Sequence, residues 1–397
     1  MRSKNLLILT NNFPNADDSY VAEIFVKEQV KCLKNYFQTV YVISPVAYGM
    51  ERLRKTIYRD YQYDNVKVFF PKYFNIPLFY TYLRFLWVYL EKKAILKQIE
   101  RKGINFDLIH AHFTWPSGAV AVKLKKYFNV PLIITEHTSN TFQRSIDKKD
   151  KMFINTWKMC DAIMRVRQKD IFLFEYIGIT KNKVFHIPNG FNHSSFFLYD
   201  TFECRKRLNL PKNKKIILNV GNLYSEVKGH KYLIEAINII VKNRKDILCV
   251  VVGSGKLESN LRGQIANLEL EDHIKLVGSK PHGDISLWIN ACDVFVLPSL
   301  NEGNPTVMFE CLGCGKPFIG TKVGGIPEVI VSNDYGLLVE PGNAQDLAEK
   351  IEIALNKNWD EGNILNYAKQ YRWENITSQM VTIYDELCSR NSNLKSA

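Results

Sequence analysis

The chain has 397 residues, 46% of them hydrophobic and 23% charged, a composition that excludes wholesale disorder and suits two domains of ordinary size better than one core. Its formal net charge of +13 is carried wholly by the first half: residues 1–200 hold 30 Lys+Arg against 17 Asp+Glu, and residues 201–397 hold 23 against 23. A basic half joined to a neutral one predicts that the first domain meets something anionic, such as a membrane surface, a diphosphate-bearing acceptor or nucleic acid.

Taken in chain order, Arg2 and Lys4 precede the apolar run Leu6–Leu9, but Asn11 and Asn12 end it too early for a signal-peptide core, so a first buried strand is expected. Short apolar runs then alternate with longer helical patterns: Val40–Ile43, Val66–Phe70, Leu108–Ala111, Leu132–Thr135, Ala162–Val166 and Val184–Ile187. This is the βα rhythm of a parallel sheet. Between Lys72 and Lys102, Tyr73, Phe74, Phe79, Tyr80, Tyr82, Phe85, Trp87 and Tyr89 stand beside basic residues. That segment suits either an interfacial helix on anionic lipid or a packing helix with a solvated basic end, and the charge asymmetry favours the lipid. Arg84 interrupts the stretch from Ile76 to Leu90, which is shorter than the roughly 18 residues a spanning helix needs, and no membrane-spanning segment is expected.

After Pro188-Asn-Gly190 and the basic stretch Arg205–Lys215, the rhythm restarts with Ile216–Val220, Leu248–Val252, Ile274–Val277, Val294–Leu297, Phe318–Thr321 and Leu337–Val339. The expected fold class is therefore α/β, with two Rossmann-like doubly wound domains facing across a cleft, since loops at the carboxyl ends of such strands bind ligands. The predicted limits are 1–195 and 196–375, followed by a last helix, 376–397, packing back on the first domain. Six of the eight cysteines lie on or beside apolar runs and read as reduced core thiols. Cys311-Leu-Gly-Cys314 has metal or redox spacing but lacks a second pair and sits in a helical pattern, so it too reads as structural.

Pro298-Ser-Leu-Asn-Glu302-Gly-Asn-Pro-Thr-Val-Met-Phe-Glu310 directly follows a strand. Gly303 allows close backbone approach, Pro305 suits a first helical turn, and Glu302 and Glu310 offer two carboxylates to adjacent hydroxyls. Downstream, Gly315 to Glu328 reads as a strand, the paired-glycine turn Gly324-Gly325 and a helix start. Val220-Gly221-Asn222 runs on to Lys228-Gly229-His230, and Asp107-Leu-Ile-His110-Ala-His112 ends a strand on which the two histidines share a face.

With these segments the sequence resembles the family 4 retaining glycosyltransferases of the GT-B fold (group 1 glycosyltransferases), over nearly the whole chain. The resemblance implies that Glu302 contacts the donor sugar, that Glu310 binds ribose hydroxyls, and that Lys228 is the diphosphate-binding lysine. It places Asn222, Gly303, Asn304, Pro305 and Thr306 with Lys228 and Glu310 at the donor. His112 falls near the reacting centre, and His137 and Thr138 on the acceptor side. Asn222 stands where many relatives carry arginine, and Glu23 where a glycine near the donor phosphates is usual.

The implied activity is retaining, metal-independent hexosyl transfer from a nucleotide-diphosphate sugar of UDP or GDP type to a glycan or polyprenyl-linked acceptor, in bacterial surface polysaccharide or glycolipid synthesis. No cofactor or metal is implied, no Asp-x-Asp occurs to hold one, and no nucleic-acid partner is expected. Together with the basic first half, the resemblance suggests a cytoplasmic enzyme, peripheral on the inner face of the plasma membrane. A nucleotide-sugar epimerase of the same fold and a non-catalytic basic binding protein are the alternative readings.

Overall fold

The computed structural model describes residues 1–17, 22–54, 56–138 and 140–396, apart from the side chains of Pro77, Thr81 and residues 392–396. Ala397, the last residue of the expected final helix, lies outside the described residues. The chain forms two compact units, one of Met1–Pro188 with Trp373–Ala397 and one of Asn189–Arg372.

The strands of the first unit are β1 (Asn5–Leu9), β2 (Thr39–Ile43), β3 (Val46–Ala47), β4 (Tyr61–Tyr63), β5 (Val66–Phe69), β6 (Lys72–Tyr73), β7 (Leu108–His112), β8 (Leu132–Glu136), β9 (Ala162–Arg165) and β10 (Val184–His186). Eight of them form one sheet in the order β10-β9-β8-β7-β1-β2-β5-β4, and β3 and β6 form a separate pair. Every expected strand is present. The departures are short: β4 adds an antiparallel edge to a sheet otherwise parallel, and β3 pairs with β6. At two or three residues each, these strands are too brief to show a period in the sequence.

The apolar runs of β1 are buried on both faces, as a parallel sheet covered by helices requires. Leu6 and Ile8 join the core with Val26 and Val30 of helix Ile24–Leu33, while Leu7 and Leu9 join the opposite core with Ile95 of helix Arg84–Lys102 and Val120 of helix Ala119–Phe128. The last helix, Trp373–Ser396, buries Trp373, Ile376, Met380, Tyr384 and Leu387 in the first of these cores, a helical spacing that fixes it to this unit.

The second unit contains β11 (Lys215–Val220), β12 (Ile247–Val252), β13 (Ile274–Leu276), β14 (Val294–Leu297), β15 (Phe318–Thr321) and β16 (Gly336–Val339), all parallel, in the order β13-β12-β11-β14-β15-β16. The order reverses direction at β11, and the crevice beyond the carboxyl ends of β11 and β14 is the topological switch point where such sheets take ligands.

The units part at Pro188/Asn189 and Arg372/Trp373, not at the expected 195/196 and 375/376. Backbone pairing explains the shift. Phe191 N donates to Tyr371 O at 3.0 Å and forms a bridge with Arg372, so the strands entering and leaving the second unit close on each other.

Candidate active site

In the second unit, the loop after β11 carries Lys228 and the loop after β14 carries Glu302. Two glycines let these loops touch. Gly229 has φ +71°, and a Cβ there would lie 1.9 Å from the Pro298 carbonyl oxygen. Gly324 has φ +59°, and its Cβ would lie 2.1 Å from the carbonyl oxygen of Glu302. Leu300 N also donates to Val227 O at 2.7 Å.

This packing brings Lys228 Nζ to 2.7 Å from Glu302 Oε1, and the Ser299 hydroxyl donates to the same oxygen at 2.6 Å. Thr321 on β15 in turn donates its hydroxyl to the Ser299 carbonyl. Glu302 is 8% exposed, so its charge depends on these donors. Gly324 packs on the Glu302–Gly303 backbone, where its Cβ would also lie 2.9 Å from the Gly303 carbonyl oxygen.

Glu310 lies on helix Thr306–Gly313 and is buried. His282 donates from Nε2 to Glu310 Oε1 at 2.8 Å, and the His282 ring rests against Phe196 with centroids 5.2 Å apart. Pro305 is the residue before the helix rather than inside its first turn, and Thr306 opens it. Asn222 is exposed. The side-chain oxygen of Asn304 accepts from Asn189 N at 2.9 Å and its carbonyl from Asn189 Nδ2 at 2.7 Å. It ties the start of the unit to the site loop.

In the first unit, His110 and His112 share a face of β7, with ring centroids 4.4 Å apart, yet their surroundings separate their roles. His110 has both nitrogens engaged, with Thr135 Oγ1 at 2.7 Å and Tyr384 OH at 2.8 Å, and burial pushes its pKa down to about 3. It is a neutral brace between the sheet and the last helix. His112 Nδ1 lies 3.0 Å from His137 Nε2, while His112 Nε2 and His137 Nδ1 are buried without a partner among the described residues. Burial, and next the neighbouring His110, hold both histidines well below the usual imidazole range. At neutral pH each therefore has one nitrogen able to exchange a hydrogen bond with a ligand.

Glu136 holds the loop that carries His137. Its carboxylate accepts from Thr114 N at 3.0 Å and from Thr138 N and Oγ1 at 2.7 Å each, and the buried Arg165 donates to the Glu136 carbonyl at 2.6 Å. Thr138 was expected on the acceptor side. Its hydroxyl donates to Glu136 and accepts from Phe142 N at 3.2 Å, so it fastens the following helix.

Glu23 adopts the left-handed conformation, with φ 55° and ψ 33°, that a glycine would take more easily. The Thr10 hydroxyl and Asn12 Nδ2 donate to its carboxylate, and burial raises its pKa.

Sequence reasoning missed Ser299, although it lies within the glutamate segment. It also missed His282, Arg165 and Tyr384, which act through contacts with residues 5 to 274 positions away. Cys311 and Cys314 are buried free thiols, with pKa values raised first by burial. Among the described residues no three His, Cys, Asp or Glu side chains converge to hold a metal ion, and no helix is long and apolar enough to cross a membrane.

Two doubly wound α/β units, the second with a lysine–glutamate pair at its switch point, define a transferase of the GT-B fold. Residues 200–371 match the glycosyl transferases group 1 family and residues 22–195 match glycosyltransferase family 4. The chain belongs to this glycosyltransferase family. It is 29% identical over 343 residues to the putative teichuronic acid biosynthesis glycosyltransferase TuaC of Bacillus subtilis, covering 83% of each chain. It is 28% identical to an uncharacterized glycosyltransferase of Methanocaldococcus jannaschii, over 83% of this chain and 88% of that one. Among solved structures, sucrose-phosphate synthase from Thermosynechococcus elongatus superposes with a TM-score of 0.76 at 21% identity, over 98% of this chain and 100% of that one. HepE of Anabaena in complex with UDP-glucose gives 0.73 at 21% identity, over 97% and 100%. These structural likenesses establish the fold.

Proposed function

We propose that the protein is a retaining, metal-independent hexosyltransferase that takes a nucleotide-diphosphate sugar as donor and a glycan or polyprenyl-linked acceptor. In this reading the donor-binding residues belong to the second unit and the acceptor-side residues His112, His137 and Thr138 to the first. The observation that carries this reading is the pairing of Lys228 with the buried Glu302 in the loops after β11 and β14, with the buried Glu310 on the helix that follows, which supports a site offering one cation and two carboxylates to a diphosphate, a sugar and a ribose. The neighbour HepE with UDP-glucose supports a nucleotide-sugar donor.

In the reaction, the bond between the anomeric carbon and the diphosphate oxygen breaks as the acceptor oxygen bonds the same face of that carbon. The acceptor proton passes to the departing phosphate. Positive charge grows on the sugar and negative charge on the diphosphate, so fixed donors at the phosphate contribute the largest electrostatic effect. Lys228 is that donor, Glu302 orients the sugar hydroxyls, Glu310 binds the ribose, and His112, held by His137, faces the acceptor.

The first unit carries 32 Lys+Arg against 19 Asp+Glu, the second 21 against 21. Tyr82 and Phe85, about the start of helix Arg84–Lys102, are 73% and 66% exposed. These features support a cytoplasmic enzyme peripheral on an anionic membrane face, acting in surface polysaccharide or glycolipid synthesis, a role in keeping with the name of TuaC.

A panel of nucleoside diphosphates and their sugars, screened by thermal shift, tests the donor reading, since a ligand bound by the native state raises its melting temperature. One nucleotide series is expected to stabilise the protein, and Lys228→Ala to reduce its turnover by about 10²–10³. A folded Lys228→Ala protein with parental turnover refutes the mechanism, and activity lost in chelator and restored by magnesium refutes metal independence. Flotation with anionic against neutral liposomes tests the membrane reading, and equal binding to both overturns it.

A further inference from the structure

His230 is the first residue of helix His230–Ile240 and is 4% exposed, yet among the described residues neither its Nδ1 nor its Nε2 has a hydrogen-bond partner. Burying an imidazole with both nitrogens unpaired is costly, and a site retains such a group when something other than the folded protein satisfies it. His110 shows the ordinary solution, with both nitrogens bonded inside the core.

The position of the ring indicates what could satisfy it. His230 Nε2 lies 3.8 Å from where a Cβ on Gly221 would stand, so it looks onto the bare backbone of the residue that follows β11 at the switch point. Lys228 is two residues earlier, and no side chain among the described residues caps the amino end of the helix, whose leading amides favour an anion. Asn222, exposed in the same loop, brings no charge. Burial, and next Lys228, push the His230 pKa down to about 4, so the ring is a neutral N–H donor at physiological pH.

We infer that His230 is a further donor-site residue, giving a hydrogen bond from its imidazole to the diphosphate of the nucleotide sugar beside Lys228. This rests on the donor reading above and adds a contact that takes part of the load Asn222 does not carry. The imidazole is unsatisfied in the free protein and satisfied in the complex, so its binding role and its effect on stability have opposite signs.

The test is calorimetric titration of the parent, His230→Phe and His230→Asn with the nucleoside diphosphate that most stabilises the parent, and with the matching nucleoside. Thermal unfolding of each unliganded protein accompanies it. His230→Phe is expected to weaken diphosphate binding about tenfold, as loss of a hydrogen bond to a charged group does, with nucleoside binding unchanged and the unliganded melting temperature raised. His230→Asn, with a shorter donor, is expected to lose less. Diphosphate affinity unchanged in both variants overturns the assignment, as does a lowered melting temperature with equal losses for nucleoside and diphosphate, the mark of a structural histidine. A parent that binds no nucleoside diphosphate overturns the donor reading and this assignment together, whereas binding by the parent and equally by both variants overturns this assignment alone.

Discussion

Removing Lys228 takes the cation from a Glu302 carboxylate that is 8% exposed in the parent and leaves it, among the described residues, with the Ser299 hydroxyl as its side-chain donor. At 2.7 Å the attraction between the two charges is ~6 kcal/mol at an effective dielectric of about 20, before desolvation is counted. The lysine side chain is 25% exposed, so water and side-chain entropy offset much of that, and the net loss for Lys228→Ala is expected at about 1–3 kcal/mol. For a unit the size of Asn189–Arg372 this corresponds to a fall in melting temperature of roughly 2–12 °C. Scanning calorimetry of the unliganded protein measures it. The double variant Lys228→Met with Glu302→Gln, which removes both charges at similar volume, is expected to recover most of the loss, because what destabilises Lys228→Ala is a buried charge left without its partner. Two results refute this reasoning: a Lys228→Ala protein that melts with the parent, or single losses that simply add in the double variant.

Two further expectations concern other charged groups. His282→Ala is expected to weaken nucleoside diphosphate binding several-fold, by freeing Glu310 from the orientation its 2.8 Å bond imposes, and to add little in a Glu310→Gln background. Titrations that show independent effects of the two substitutions disprove the coupling. Glu91 is a buried carboxyl group whose pKa burial raises to about 7, with Trp87 and Asn11 donating to it. It is protonated in the fold and ionised when unfolded, so its contribution is lost as pH rises from 4.5 through about 7. His110 has the opposite sign. Neutral in the fold and protonated when unfolded below its ordinary 6.5, it makes stability fall on acidification until about pH 3. Glu91→Gln removes the opposing slope, so denaturant titrations between pH 4.5 and 6.5 should show a steeper loss of stability on acidification than in the parent, and an unchanged slope would count against a raised Glu91 pKa.

The long strands were legible because both faces of a parallel sheet are buried, which writes each strand as a continuous apolar run such as Leu248–Val252. The glutamate segment and Lys228 were legible because loop, glycine and helix start follow one another along the chain. The brief edge strand β4 carries too few residues for a period, and the unit boundary at Pro188/Asn189 follows from a bridge between Phe191 and Arg372, far apart in the chain. The partners of Asn304 and Thr138 within the protein, Asn189 and Glu136, were not legible, because they depend on the folded loops.

By itself the sequence determined the two βα series, the burial of their strands and the residue types offered at the strand ends, since apolar periodicity and turn chemistry are local properties of the chain. Tertiary structure alone decided that Lys228 meets Glu302, that His282 holds Glu310, that His110 braces Tyr384 while His112 turns to His137, and that His230 is buried with no partner among the described residues. Those relations join residues brought together by parallel strand order and glycine-permitted loop contact, and their energies depend on distance and desolvation, which exist only after the chain has packed.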